Sequence, residues 1–178
     1  MVVTNDDILA DKLNRLRVHG SQPKYYHKMI GGNFRIDALQ AAVISVKFEY
    51  LDSWTEKRQA NARRYNQLFS KAGLEKKLTL PVTLPGYRHI FNQYVVRAPR
   101  RNMLFSFLQK NKIGCEIYYP VTFNNQECFA YLNYKKGDFP VAEQAADTTL
   151  ALPIYPEISS EQQTHVVAKI GAFYANNS

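Results

Sequence analysis

The stretch GGNFR, residues 31–35, puts two glycines, a carboxamide and a guanidinium side by side. That set can hold an anion: Asn33 and Arg35 donate hydrogen bonds, and a helix starting here would add its N-terminal field. The same residues also fit a plain structural device, a glycine turn with Asn33 as N-cap. A second stretch, GCEIYYPVTFNNQECF, ends a strand candidate on Tyr118 and Tyr119. Side chains alternate across a strand, so one tyrosine is expected in the core and the other in a cleft, or both in ordinary aromatic packing. Other chemistries lack their motifs. GxGxxG, the P-loop, HExxH and a Ser-His-Asp arrangement are all missing. His19, His27, His89 and His165 lie too far apart for a metal-binding helix. Cys115 and Cys128 match no metal or disulfide spacing, which points to a reducing cytoplasm.

These residues belong to a chain of 178 residues, 46% hydrophobic and 21% charged, enough for a packed core. It carries no apolar run long enough to span a membrane and no signal peptide at MVVTNDD. The net charge of +8 suits an anionic partner. The basic residues are scattered and come with no zinc finger or RNP motif, so nucleic acid is a weak reading.

The elements that must position the candidates read in order. TNDDILADKLNRLRVHG is a helix capped by Thr4 or Asn5, with Ile8, Leu9, Leu13 and Leu16 as an apolar stripe. Helices are expected over 36–50 and 53–72, the second with Arg58, Ala62, Tyr65 and Phe69 on one face and Gly73 after it. If continuous, they would span roughly 50 Å. HIFNQYVVRA and CEIYYP read as strands, RRNMLFSFLQKNKIG and AEQAADTTL as helices, and ALPIYP as a short extended piece. SSEQQTHVVAKIGAFYA is a helix opened by Ser159 or Ser160. Val2 and Val3 look like a strand end whose partners lie elsewhere. The fold class is α+β: long N-terminal helices, then a small antiparallel sheet with helices on one face.

TNDDILADKLNRLRVHG, YHKMIGGNFRIDALQAAV, QYVVRA, IGCEIYYPV, FPVAEQAADTTLALPIYP and the SSEQQ helix follow in an order that resembles the C-terminal part of the DegT/DnrJ/StrS-type aminotransferases. These are pyridoxal-phosphate (PLP) enzymes that aminate keto groups on nucleotide-linked sugars. The resemblance implies an aspartate-aminotransferase-like fold and a dimer whose subunits share each active site. Residues 1–50 would be a remnant of the large PLP-binding domain with an interface helix, 51–73 a connecting helix, and 74–178 the small C-terminal domain. It places Asn33, with Arg35 close by, against the cofactor phosphate of the partner subunit. Tyr119 and Asn124 would lie on the substrate side.

Two departures follow from the same resemblance. The family's Schiff-base lysine lies in a segment before the strand ending in VVTND, and none of the thirteen lysines here fits a replacement motif. The chain alone is therefore expected to bind no PLP and to be inactive as a transaminase. It would need an N-terminal half or a full-length homologue, or act as a dead regulatory module pairing with one. Where the family carries a histidine, this chain has Asn124. An amide there removes a cation and an acid–base group.

Overall fold

The computed structural model describes residues 2–176. The chain divides into two compact units, Met1–Tyr50 and Leu51–Ser178.

The first unit holds two helices. Helix α1 spans Asp7–Leu16 and is capped by Asp6, whose carboxylate accepts from the Ile8 and Leu9 amides at 2.9 and 3.1 Å. Thr4 and Asn5, the expected caps, are displaced one or two residues outward. Thr4 instead accepts from the Asp6 amide. A carboxylate also complements the positive end of the helix, which a hydroxyl or amide does less well. Val2 and Val3 are exposed and form no strand. Helix α2 spans Ala38–Phe48 and starts later than the apolar pattern suggested, because Asp37 caps it through the Leu39 amide at 2.8 Å. The chain then turns at Glu49 and Tyr50, so the long continuous helix considered from the sequence is not formed. Neither α1 nor α2 buries a residue.

The second unit opens with α3, Leu51–Lys71, which ends before the left-handed Gly73. Strand β1 (Tyr94–Arg97), α4 (Arg101–Lys110), α5 (Pro140–Thr148), β2 (Thr149–Leu152) and α6 (Ser160–Ala175) follow. β1 and β2 pair antiparallel, Tyr94 opposite Leu152 and Arg97 opposite Thr149. Single bridges extend this ribbon on both sides, Thr79 to Arg97 and Glu116 to Ala151. The strand expected in CEIYYP is thus reduced to one bridge. The Ile117 amide is taken by the Glu116 carboxylate at 2.9 Å, and Pro120 has no amide to offer.

The core of this unit joins α3, α6, α4 and the ribbon. Ala62, Tyr65 and Phe69 from α3 are buried with Val166, Val167, Ile170 and Phe173 from α6, Leu104 and Leu108 from α4, and Tyr94, Val96 and Leu150 from the strands. Each large side chain contributes about 1.5–3 kcal/mol by leaving water. Their few polar atoms are satisfied: the Tyr65 hydroxyl donates to the Pro153 carbonyl at 2.9 Å, and the Tyr94 hydroxyl to the Asn66 side chain at 2.5 Å. Burial pushes both phenols far above their ordinary range. Helix α6 opens with a capping box, Ser159 and Gln162 each accepting from the other's amide.

A polar row along α3 ties down the loops around this core. Arg58 donates to the Ile154 carbonyl at 2.8 Å, Gln59 to His89 at 2.9 Å, and Asn61 to Tyr155 at 2.9 Å. Gln163, fully buried on α6, donates to the Asn61 carbonyl at 2.8 Å and accepts from Arg64 at 3.0 Å. Arg101 is a buried cation with no carboxylate partner among the described residues; it donates to the Thr149 and Ala146 carbonyls, each at 2.8 Å, and so fixes the step from α5 into β2.

Candidate functional site

Residues 31–35 do not open a helix. They run antiparallel across the end of α1, with Asn33 bridged to Val18. The Gly32 and Phe34 amides donate to the Leu16 and Arg17 carbonyls at 2.9 and 3.2 Å, and the Arg35 guanidinium to the Arg17 carbonyl at 3.3 Å. Carbonyls left without partners at the end of α1 are satisfied in this way, with a cation beside the negative end of the helix. The approach is close enough to require glycine. A Cβ on Gly31 would lie 2.5 Å from the Leu16 carbonyl oxygen and 2.7 Å from the Gly20 nitrogen.

The N-cap reading of Asn33 is corrected by this geometry. Asp37, four residues on, caps α2, and its carboxylate occupies the helix end that would have drawn an anion. The backbone amides of Gly32 and Phe34 are engaged as well. The Asn33 side chain and the Arg35 guanidinium are exposed, and the guanidinium has donors beyond its bond to Arg17. Those two groups suit one phosphate held from one side. They offer nothing to a pyridine ring, so the fit to PLP is a fit to its phosphate alone.

The second stretch lies in the second unit. Tyr118 and Tyr119, joined by a cis peptide, meet edge to face at 5.7 Å. Neither reaches the core: they are 41% and 72% exposed. The alternation argument fails here because the chain leaves the ribbon at Glu116. Tyr118 lines a hollow of about 320 Å3 with Asn92, Cys115 and Glu116, beside the β2 edge. Tyr119 projects to solvent. Asn124 is half-buried in a 3₁₀ turn, Phe123–Asn125, and donates to the Asn125 side chain at 3.2 Å. It lines a different hollow of about 390 Å3, walled by Phe123, Phe129, Leu132, Tyr134 and Phe139. Sequence reasoning missed that aromatic wall. Its one visible trace is the density of Phe and Tyr between residues 123 and 139.

Cys115 and His89 are held by their surroundings in the second unit. Burial first, with the nearby Glu116 carboxylate adding to it, pushes the Cys115 thiol up to about 11, against the opposing bond from Gln109. Cys128 is exposed. The His89 ring stacks on Phe91 at 4.0 Å and accepts from the Phe91 amide at 2.9 Å. No helix among the described residues is long and apolar enough to cross a membrane.

Comparison with known proteins gives these features a context. The model of the DegT/DnrJ/EryC1/StrS aminotransferase family matches residues 1–171. The chain is 48% identical over 174 residues to a pleiotropic regulatory protein of Geobacillus stearothermophilus, covering 98% of this chain and 46% of the relative. It is 35% identical to a UDP-N-acetyl-3-dehydro-alpha-D-glucosamine 3-aminotransferase of Acidithiobacillus ferrooxidans, over 96% of this chain and 44% of the relative. Among solved structures it is similar to Streptomyces venezuelae DesV in complex with a ketimine intermediate: TM-score 0.85, 34% identity, 96% of this chain and 45% of that one. The chain thus spans just under half the length of the relatives it matches.

Proposed function

Because the chain belongs to the DegT/DnrJ/EryC1/StrS aminotransferase family, we propose that it supplies one part of a PLP-dependent transaminase that moves an amino group, from glutamate, onto a nucleotide-linked keto-sugar. The observation that carries this is the family match across residues 1–171, together with a relative named for amino transfer to a UDP-linked sugar. The net charge of +8 suits a diphosphate-linked substrate.

In this reading PLP supplies the electron sink for amino transfer. The chain's own residues bind and orient. Asn33 donates to the cofactor phosphate of a partner subunit, and Arg35 neutralises part of its charge. Tyr119 and Asn124 face the substrate, Asn124 as a neutral hydrogen-bonding group that neither accepts nor delivers a proton in the step. The first unit is part of a larger cofactor-binding domain, α3 is the connection, and the rest is the small domain. A dimer follows from the exposed apolar faces of α1 and α2. The lysine that holds PLP covalently comes from a further segment or chain, consistent with the half-length coverage of the relatives.

Co-expression with an N-terminal segment that carries that lysine tests the reading. Amino transfer from glutamate to a UDP- or dTDP-linked keto-sugar is expected with both parts and not with this chain alone. A stoichiometric pyridoxyl-lysine on this chain alone after borohydride would overturn it. The regulatory name of the 48% identical relative favours one second reading, a module that pairs with a homologue without catalysing. Association with that segment but no amino transfer is its distinguishing result.

A further inference from the structure

We infer that the hollow between the end of α4 and the first turns of α6 binds a free amino acid with an apolar side chain, a site that the transaminase reading does not call for. At about 640 Å3 it lies within the ordinary range for small-molecule sites. Ile113, Pro153, Ile158 and Val166 give it an apolar lining. Opposite charges come to it from two elements. Lys112, just past α4, and Glu161, in the first turn of α6, both line the hollow and are both exposed. No ion pair joins them among the described residues, so the hollow holds a cation and an anion that do not neutralise each other by contact.

These charges decide the class of ligand. Hydrogen bonds from the Ser159 side chain first, then from its own backbone amide and Ser160, hold the Glu161 carboxyl below its ordinary value, so it is an anion at neutral pH. A simple carboxylate would match Lys112 and be repelled by Glu161; a simple amine would do the reverse. A molecule with both groups matches both, and an α-amino acid carries them on one carbon. The flexible stem of Lys112 lets its ammonium close on the ligand carboxylate. Gln162 supplies further donors. Its oxygen is committed to the Ser159 amide at 2.9 Å and the Tyr155 hydroxyl at 3.1 Å, which leaves its N–H groups for the ligand. His165, one helical turn on from Glu161, lines the same hollow and offers a ring N–H. The apolar lining then selects the side chain. No second lysine and no arginine is present there for the extra carboxylate of an acidic amino acid, whereas an aliphatic side chain gains by leaving water. A ligand held at both charges ties the end of α4 to the start of α6.

A saturation-transfer NMR titration of the full chain with L-leucine, without PLP, tests this. Saturation of the leucine methyl protons is expected. L-glutamate, 4-methylpentanoate (leucine without its amine) and isoamylamine (leucine without its carboxylate) should each bind at least about tenfold more weakly. Two variants at exposed positions separate the charges. Lys112→Met should weaken leucine about tenfold without weakening isoamylamine, and Glu161→Gln should weaken leucine by a similar factor without weakening 4-methylpentanoate. No saturation of leucine, leucine affinity unchanged in either variant, or either one-charge analogue binding as tightly as leucine would each overturn the assignment. Glutamate binding as tightly as leucine would overturn it too, because the apolar lining would then select nothing. The assay involves no amino transfer. A chain that complements a lysine-bearing segment but ignores leucine loses only this inference, and one that binds leucine but never complements loses only the transaminase reading.

Discussion

The unit Met1–Tyr50 and the unit Leu51–Ser178 are both rich in apolar side chains, yet they treat them in opposite ways. In the second, Tyr65, Phe69, Tyr94, Leu104, Leu108 and Ile170 reach zero exposure. In the first, α2 is apolar almost all round, and Leu39, Val43, Ile44, Val46 and Phe48 remain half or more exposed. Every buried hydrophobic residue among those described lies at Ala62 or beyond. A helix apolar on all sides is a helix meant to be covered. The second unit carries its own core, whereas the first is held in shape by caps and backbone bonds and lacks the cover its composition calls for.

Mutations can break this contrast. Phe69→Ala should lower stability by about 3–5 kcal/mol in urea unfolding. Val43→Ala should change it by less than about 0.5 kcal/mol, and Ile44→Asp should leave unfolding alone while weakening self-association in sedimentation. If Val43→Ala costs as much as Phe69→Ala, the first unit has a core after all.

A finer contrast concerns polar groups. Arg101→Met strips the buried Ala146 carbonyl and the part-buried Thr149 carbonyl of this donor and should cost about 2–3 kcal/mol. Asn33→Ala should leave stability within about 0.5 kcal/mol, since Asn33 caps nothing. In a complemented enzyme it should weaken PLP by about 1.5–3 kcal/mol, read by cofactor titration. Asp37→Ala should do the reverse, costing about 1 kcal/mol of stability with PLP affinity kept. A swap of these two outcomes would return Asn33 to the role of a cap.

The smallest effect expected is alkaline. Burial pushes the Tyr174 phenol up to about 12 and the Cys115 thiol up to about 11. Both pKa values are raised, so the folded chain keeps protons that the unfolded chain releases. Stability should therefore be level below about pH 9 and fall as pH rises, through pH 11 for the thiol and pH 12 for the phenol. At pH 8 an aromatic disulfide reagent should react with Cys128 quickly and with Cys115 only on unfolding. Equal rates would mean that Cys115 is not sheltered.

Local signals made much of this legible. Gly73 closes α3 where the sequence stops its pattern, Ser159 and Gln162 form their capping box, and Ala62, Tyr65 and Phe69 face the core as their spacing requires. What stayed hidden depends on groups distant in sequence. GGNFR looks like a helix entry until the carbonyls of Leu16 and Arg17 are seen to take its amides. CEIYYP has strand composition, but the Glu116 carboxylate competes for the next ladder amide. The partners of Arg58, Asn61 and Gln163 lie beyond any local window.

That last tie sets a schedule. Gln163 reaches back across 102 residues to the Asn61 carbonyl, and Tyr65 waits for Pro153. At about 5–20 residues per second, a ribosome takes roughly 5–20 s to make the stretch between Asn61 and Gln163. Throughout that interval the apolar face of α3 exists without α6 to close over it. The newly made helix is therefore a natural client for a chaperone, and slower translation of residues 62–163 should raise aggregation more than slower translation before α3.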